Sequence, residues 1–306
     1  MTASSLPRFP FARRTRRFSA SGIRKIFDLA ATLKDPVNLS IGQPDFDVPD
    51  KVKEAAIAAI REGHNKYTVT TGLPELNKKL RAHVARRKGR EFASGMVTCG
   101  VSGGLLLSFL AFVEEGVDVL VPDPYFISYS NLVGLCGGEP RYYSLYPDFR
   151  LTLESLRAAV TPRTRLLVLN SPSNPTGAVW TEDDLRRVDD FARQHRLLVL
   201  SDEIYDYFYF SPGECPSIAR YYEDTLLLGG LSKSGGMPGW RIGYLMASRE
   251  IVEQLATLQQ FSYVCAPTPA QQASLVMLDH DFTPSRDAYR RKRDLVVEGL
   301  RGKYEL

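Results

Sequence analysis

The stretch RLLVLNSPSNPTGAVWTEDDLRRVDDFARQHRLLVLSD, residues 165–202, decides the fold class. Two short runs rich in leucine and valine enclose a polar segment with the spacing of a helix. Within that segment Thr181 is a suitable N-cap, and the three acids after it favour the positive end of a helix dipole. Strand, helix and strand in this order predict a βαβ unit with its two strands parallel in one sheet.

The same alternation continues on both sides of this unit. Further strands are predicted at MVTC, VDVLV, RYYSL and TLLLGG. Helices are predicted at GGLLLSFLAFVEE, PYFISYSNLVGLC, LTLESLRAAV, EIYDYF, PAQQASLVML and DAYRRKRDLVVEGLRGKYEL, with a first amphipathic helix at GIRKIFDLAATL. Short apolar strands separated by amphipathic helices predict an α/β fold, a three-layer αβα arrangement around a mostly parallel sheet.

Composition excludes several classes of protein. With 306 residues, 44% hydrophobic and 24% charged, the chain is typical of a soluble globular protein of about two domains. No apolar run approaches the roughly 20 residues of a membrane helix. Four cysteines are scattered without a Cys-x-x-Cys pair or a histidine cluster, so we expect reduced thiols, a cytoplasmic location and no metal site.

The net charge of +4 is concentrated at the N-terminus. Residues 1–27 hold seven basic side chains and no acid, which leaves 32 basic against 35 acidic residues elsewhere. Such an arm is compatible with nucleic-acid binding or with a transit peptide, but we interpret it as a solvated arm.

Polar side chains follow the predicted strands where each one ends. Ligands of open α/β sheets bind at these carboxyl ends. One edge of the sheet is therefore expected to carry a glycine-serine helix start, an aromatic ring, an amide, a carboxylate with a phenol, and a lysine with an arginine. In chain order these are Ser102 with Gly103, Phe126, Asn174, Asp202 with Tyr205, and Lys233 with Arg241.

This set suits an anionic, aromatic, aldehyde-bearing ligand. A helix start and Arg241 can bind a phosphate, and Phe126 offers a flat surface to a ring. Asp202 can pair with a protonated ring nitrogen, while the amine of Lys233 can form a Schiff base when a neighbouring cation lowers its pKa. Pyridoxal 5′-phosphate is the cofactor with all of these features.

The chain resembles the class I and II aminotransferases, fold type I of the pyridoxal-phosphate enzymes. The resemblance covers most of residues 23–275, in the family's order. It rests on NLSIGQPDFDVP, YTVTTGLPELNKKL, VPDPYF, NSPSNPTG, VLSDEIYDYF and LSKSGGMPGWRIGYL.

The resemblance implies a role for each matching residue. Lys233 would form the internal aldimine and carry the proton, with Asp202 on the ring nitrogen. Tyr205 and Asn174 would bond the ring oxygen. The phosphate would be held by Arg241, the backbone of Ser102 and Gly103, and Ser232. Phe126, or its neighbour Tyr125, would stack on the ring. Tyr67 would reach the phosphate of a second subunit, which implies a homodimer with shared active sites. Gly42 and Asn174 would contact the substrate.

The implied reaction moves an amino group from an L-amino acid to a 2-oxo acid. Residues 1–45 would form an N-terminal arm and part of a small domain, residues 46–280 the large cofactor-binding domain, and residues 281–306 the interdomain helix that starts the C-terminal small domain. The rest of that domain, with a second arginine for the substrate carboxylate, is expected to be missing, as in a C-terminally truncated chain. Gly230 also stands where the family often has a hydroxyl residue.

Three alternatives are weighed against this interpretation. A nicotinamide-dependent dehydrogenase would need Gly-x-Gly-x-x-Gly spacing, which GVSGG at residues 100–104 lacks. A lyase or synthase of the same fold would use nearly the same cofactor residues and stays open. A truncated, non-catalytic chain that only binds the cofactor or a partner also stays open. Neither a nucleic-acid partner nor a membrane is expected.

Overall fold

The computed structural model describes residues 42–304 without a break, together with residues 9–12, 14, 15, 22, 26, 29, 30, 32–35 and 37. The helix expected at GIRKIFDLAATL lies largely outside the described residues. In the described part, no helix is long and apolar enough to cross a bilayer. The central sheet has the strands β1 (Ser94–Cys99), β2 (Asp118–Asp123), β3 (Glu139–Ser144), β4 (Thr164–Asn170), β5 (Leu198–Asp202), β6 (Thr225–Gly230) and β7 (Ile242–Ala247).

The strands are ordered β1-β7-β6-β5-β4-β2-β3. β7 runs antiparallel to both of its neighbours, and the other pairs are parallel. A mostly parallel sheet is thus confirmed, and the antiparallel direction of β7 is what the sequence pattern did not reveal. Because β7 runs backwards, its first residue lies at the same edge as the last residues of β1 and β6.

Helices cover the described sheet on both faces. They are α1 (Asp50–Arg61), α2 (Pro74–Lys88), α3 (Gly100–Phe112), α4 (Ser128–Leu135), α5 (Leu153–Ala159), α6 (Glu182–His195), α7 (Arg249–Gln260), α8 (Thr268–Met277) and α9 (Thr283–Leu300). Successive strand residues point to opposite faces. Leu166 and Val168 accordingly pack with α3, α4 and α7, whereas Leu167 and Leu169 pack with α5 and α6. Further along the second face, α1, α2 and α8 cover β6 and β7. The three-layer αβα arrangement is confirmed.

Six of the predicted helices are present, namely α3 to α6, α8 and α9. The N-cap of α6 is confirmed in detail, since Thr181 Oγ1 accepts from the Asp184 backbone N–H at 3.1 Å and Asp184 Oδ2 accepts from the Thr181 backbone N–H at 3.0 Å. The helix predicted at EIYDYF is wrong, because that segment forms only a 3₁₀ turn, Asp206–Phe208. Its backbone is instead tied to the sheet, where the Glu203 N–H donates to Leu228 O at 2.9 Å.

Candidate active site

A cavity of about 510 Å³ lies at the carboxyl edge of the parallel strands. The segments that follow β1, β2, β4 and β5 and the loop between β6 and β7 all contribute to its lining. Nine of the eleven residues predicted from the sequence line it: Gly42, Ser102, Phe126, Asn174, Asp202, Tyr205, Ser232, Lys233 and Arg241.

Lys233 is carried by the loop between β6 and β7. Its half-buried amine donates a hydrogen bond to Gly42 O at 2.5 Å and lies 5.8 Å from the centre of the Tyr205 ring. Burial and the charge of Arg241 lower the pKa of Lys233, against the opposite effect of Asp202. The amine is therefore easier to deprotonate than an ordinary lysine, which a nucleophile requires.

Asp202 is the last residue of β5, and its side chain is buried. One carboxylate oxygen accepts from Tyr129 Oη at 2.8 Å, and the other from the Ile204 backbone N–H at 3.2 Å. Burial raises the pKa of Asp202 to about 6, and these two hydrogen bonds limit the rise. The carboxylate is still mainly ionised at neutral pH, so it is available to a cationic partner in the cavity.

Hydrogen bonds fix the side-chain amide of Asn170 beside Asp202. Asn170, the last residue of β4, donates through Nδ2 to Asp202 O at 2.9 Å, and its Oδ1 accepts from the Asn174 backbone N–H at 2.7 Å. Tyr205 lines the same cavity. Burial, with a smaller contribution from Asp202, raises the pKa of Tyr205 to about 12, so its hydroxyl stays a donor at neutral pH.

The end of β1 and the start of β7 bring Gly100 and Arg241 together. Cys99 pairs with Ile242 across the antiparallel ladder, so the next residue outward on each strand is Gly100 or Arg241. Gly100 has φ of +70°, and a Cβ there would lie 2.4 Å from Arg241 Nη2. The helix start needs glycine both for its backbone conformation and for this close approach. The first N–H groups of a helix have no partner within it, so α3 presents donors beside a guanidinium.

Phe126 and Tyr125 both line the cavity, but their ring contacts differ. Tyr125 stacks on Tyr142, with ring centres 5.2 Å apart and 23° between the planes. Phe126 meets Tyr129 edge to face, at 5.6 Å and 84°. A T-shaped contact covers less of a ring face than stacking does, so the geometry favours Phe126 as the stacking residue.

Two predicted residues lie outside this lining. Gly103 is buried within α3, where its carbonyl accepts from Tyr263 Oη at 3.0 Å. Tyr67 is 81% exposed on the surface. The lining also contains Tyr129 and Asn170, which the sequence analysis missed. The position of Asn170 at the end of an apolar strand was a usable signal, whereas nothing in the sequence pattern marks Tyr129.

A second cavity of about 820 Å³ adjoins the first and shares Gly42, Asn174 and Lys233 with it. Its outer wall is α9, which contributes Lys292 and Val296 among other residues. Lys292 is ion-paired with Asp45. Lys233 therefore borders both this chamber and the first cavity.

Comparisons with known proteins identify the family of this chain. Residues 34–305 match the family described as aminotransferase class I and II. Aromatic-amino-acid aminotransferase 2 of Thermococcus litoralis is 36% identical over 293 residues, which are 92% of this chain and 75% of that protein. Aspartate aminotransferase of Pyrococcus abyssi is 37% identical over 293 residues with the same two coverages. The structure of aspartate aminotransferase from Thermus thermophilus with maleate superposes with a TM-score of 0.91 at 36% identity, covering 95% of this chain and 80% of that one.

The fold is that of the α/β enzymes of fold type I, and a lysine lies at the carboxyl edge of its sheet. The chain belongs to the family of class I and II aminotransferases, and it is an aminotransferase.

Proposed function

We propose that this chain binds pyridoxal 5′-phosphate in the 510 Å³ cavity and transfers an amino group from an L-amino acid to a 2-oxo acid. The observation that carries the proposal is the meeting of three groups in one lining. These are an amine with a lowered pKa on Lys233, a buried carboxylate on Asp202 and the guanidinium of Arg241.

The residues fit this cofactor from end to end. Arg241, the start of α3 and the hydroxyls of Ser102 and Ser232 suit its phosphate. The glycine cradle at Gly100 keeps that end open, since a Cβ there would meet the guanidinium. Toward the ring, Phe126 supplies an apolar face. The Asp202 carboxylate suits the ring nitrogen, and the Asn174 amide and the Tyr205 hydroxyl suit the ring oxygen. Gly103 would contribute only through the helix start it belongs to.

Bound pyridoxal phosphate supplies an aldehyde that condenses with amines and a ring that accepts an electron pair from the substrate α-carbon. Lys233 would hold the cofactor through its amine and would move the proton at the substrate α-carbon. Asp202 would hold the proton on the ring nitrogen, since its carboxylate is mainly ionised at neutral pH. Tyr205 keeps its own proton and donates a hydrogen bond from its hydroxyl.

We assign the 820 Å³ chamber to the substrate side chain and propose an aromatic amino acid as substrate. Among the residues that line it, Phe208 packs against Tyr289 with ring centres 4.8 Å apart. The cations that α9 presents there already have carboxylate partners, Lys292 with Asp45 and Arg293 with Asp294. A second substrate carboxylate therefore gains less from this chamber than an aromatic ring does. Gly42 would contact the substrate carboxylate through its backbone.

The assembly and location are proposals of the same kind. We infer a homodimer with shared active sites, to which the exposed Tyr67 contributes across the interface. Residues 46–280 would be the large domain, with 1–45 and 281–306 belonging to a small domain. A cytoplasmic location accords with four free thiols.

The test is reduction with borohydride after incubation with pyridoxal phosphate. Wild-type protein should carry the reduced cofactor on Lys233, and Lys233→Ala should lose it while keeping its fold. Lys292→Ala, a lysine in the adjoining chamber, is the matched control and should keep it. Adduct formation in Lys233→Ala would mean that the wrong lysine has been assigned.

The loaded protein then separates the reaction classes. With L-phenylalanine as donor we expect the pyridoxamine form of the cofactor and phenylpyruvate, and less conversion with L-aspartate. Ammonia and pyruvate from a panel of amino acids would instead indicate a lyase. An unchanged cofactor spectrum with every donor would indicate a non-catalytic chain.

A further inference from the structure

A cluster of buried charges lies behind the segment that carries Asp202, outside the 510 Å³ cavity. Lys88, at the end of α2, is 2% exposed, and its Nζ donates to Asp206 Oδ2 at 2.7 Å. The same ammonium lies 2.7 Å from Glu203 Oε2 as an ion pair. The other oxygen of Glu203 accepts from Ser201 Oγ at 2.9 Å and from Ser217 Oγ at 2.6 Å. None of the chemistry described above uses these groups.

The cluster and the cavity share one short piece of chain. Asp202 and Tyr205 line the cavity, whereas Glu203 and Asp206, each one residue further on, are ion-paired with Lys88. The Asp206 backbone N–H also donates to Glu203 O at 3.1 Å, which closes the turn between them. Any movement of the two acids therefore moves the two cavity residues.

Stability alone is a weak explanation for this arrangement. Burial by itself would lower the pKa of Lys88, but Asp206 and Glu203 outweigh it and raise that pKa. The pKa of Asp206 is lowered, because Lys88 and Arg87 outweigh the effect of its burial. Lys88 and Asp206 are therefore charged inside the protein, which costs desolvation that the attraction between them does not reliably offset. Buried ion pairs are in some proteins kept because they fix one conformation.

We propose that Lys88 is a positioning residue of the active site. By holding Glu203 and Asp206 from behind, it fixes the direction in which the Asp202 carboxylate and the Tyr205 hydroxyl face the cavity. The inference rests on the proposed function, since those two groups are the ones assigned to the cofactor ring.

The first test compares two lysines on the same helix. Lys88→Met keeps the length of the side chain and removes its charge. Lys79→Met is the control, because Lys79 also pairs with an acid, Asp279, at 2.5 Å, but makes no contact with the Asp202 segment. We expect Lys88→Met to bind pyridoxal phosphate about tenfold more weakly, in line with the sensitivity of such sites to small displacements. The control should bind as wild type does.

A second readout separates positioning from general destabilisation. Bound cofactor changes its absorbance with pH, and the midpoint of that change depends on the groups around its ring. We expect the midpoint to move in Lys88→Met and to stay in Lys79→Met, at a temperature where urea titration shows both variants folded.

A neutral variant covers the case in which Lys88→Met does not fold. Lys88→Met, Glu203→Gln and Asp206→Asn together remove every charge of the trio and the desolvation that goes with it. Arg87, which also pairs with Asp206, keeps its second partner Glu214 at 3.2 Å. We expect this protein to resist urea as well as wild type does, yet to bind the cofactor about tenfold more weakly with a displaced absorbance midpoint. Wild-type affinity and midpoint in the folded triple variant would overturn the positioning role.

The outcomes also separate this inference from the proposed function. If wild-type protein forms no reducible adduct with pyridoxal phosphate, the proposed function fails. If wild type forms it and the Lys88 variants bind with unchanged affinity and midpoint, only the positioning role fails.

Discussion

Asp202→Asn should stabilise the cofactor-free protein at neutral pH. The carboxyl is fully buried, and burial raises its pKa from 3.8 to about 6. Asparagine has nearly the same shape and can still accept through its Oδ1 from the Ile204 backbone N–H or from the hydroxyl of Tyr129. The substitution therefore removes the buried charge with little change in packing.

The sign follows from proton linkage. A carboxyl whose pKa is raised by folding binds its proton more tightly in the native state, so stability falls as pH rises from the unfolded pKa to the folded one. Below about pH 4 the residue is neutral in both states and there is no penalty. Above about pH 6 the penalty is complete, and a rise of about two pH units corresponds to about 3 kcal/mol.

The assay is urea unfolding of wild type and Asp202→Asn, without cofactor, between pH 4 and pH 8. We expect the free-energy difference in favour of the variant to grow from near zero at pH 4 to about 3 kcal/mol at pH 7 and then to level off. Asp118→Asn is the matched control, for which we expect a change in stability of the opposite sign. Although burial acts to raise the pKa of Asp118, hydrogen bonds from Thr161 and Arg163 outweigh it and lower that pKa. This variant should be destabilised at neutral pH, and the loss should shrink as pH falls. A difference for Asp202→Asn that is independent of pH, or that favours wild type at pH 7, would refute the reasoning.

Two further predictions concern neighbours of the cofactor site. Tyr129→Phe removes a hydrogen bond that stabilises the Asp202 carboxylate, so the pKa of Asp202 should rise above about 6 by roughly one to two pH units. Carbon-13 NMR of the carboxyl group would follow this titration. An unchanged pKa would mean that the hydrogen bond does not stabilise the charged form. Gly100→Ala should weaken binding of pyridoxal phosphate by about tenfold in a fluorescence titration, because the new methyl group displaces Arg241. Gly116→Ala is the control with a similar positive φ of +88° and no atom within 4 Å of the added carbon, and equal losses in both variants would assign the effect to backbone strain instead.

Much of this architecture follows from patterns that a sequence displays directly. The βαβ unit around α6 is predictable because strand periodicity, an N-cap and helix periodicity succeed one another without ambiguity. The polar residues at the ends of β4 and β5 are predictable because parallel strands deliver their carboxyl ends to one edge. For that reason nine of the eleven proposed site residues meet in a single cavity.

The features of the fold and site that the sequence did not predict depend on contacts between segments far apart in the chain. The hydrogen bond from Tyr129 to Asp202 spans 73 residues, and nothing local to either residue specifies it. Lys88 looks like one more cation in a basic helix end until α2 packs against the turn after β5. The segment EIYDYF has an apolar and aromatic content that suggests a helix, but the Glu203 backbone N–H is bonded to Leu228 O on β6, and only Asp206–Phe208 turns, as a 3₁₀ helix. That bond to the sheet is a long-range contact that the local sequence does not reveal.

Because β7 runs antiparallel to β6, the loop of residues 231–241 begins and ends at the same edge of the sheet. This one loop therefore carries both the amine of Lys233 and the guanidinium of Arg241. The strands at its two ends are neighbours, with Gly230 paired to Gly243. Between these ends Leu231 and Met237 are buried in the core under α1, α2 and α8, which anchors the segment along its length. A substitution that loosens this anchoring would therefore displace the amine and the guanidinium together, although they bind opposite ends of the proposed ligand.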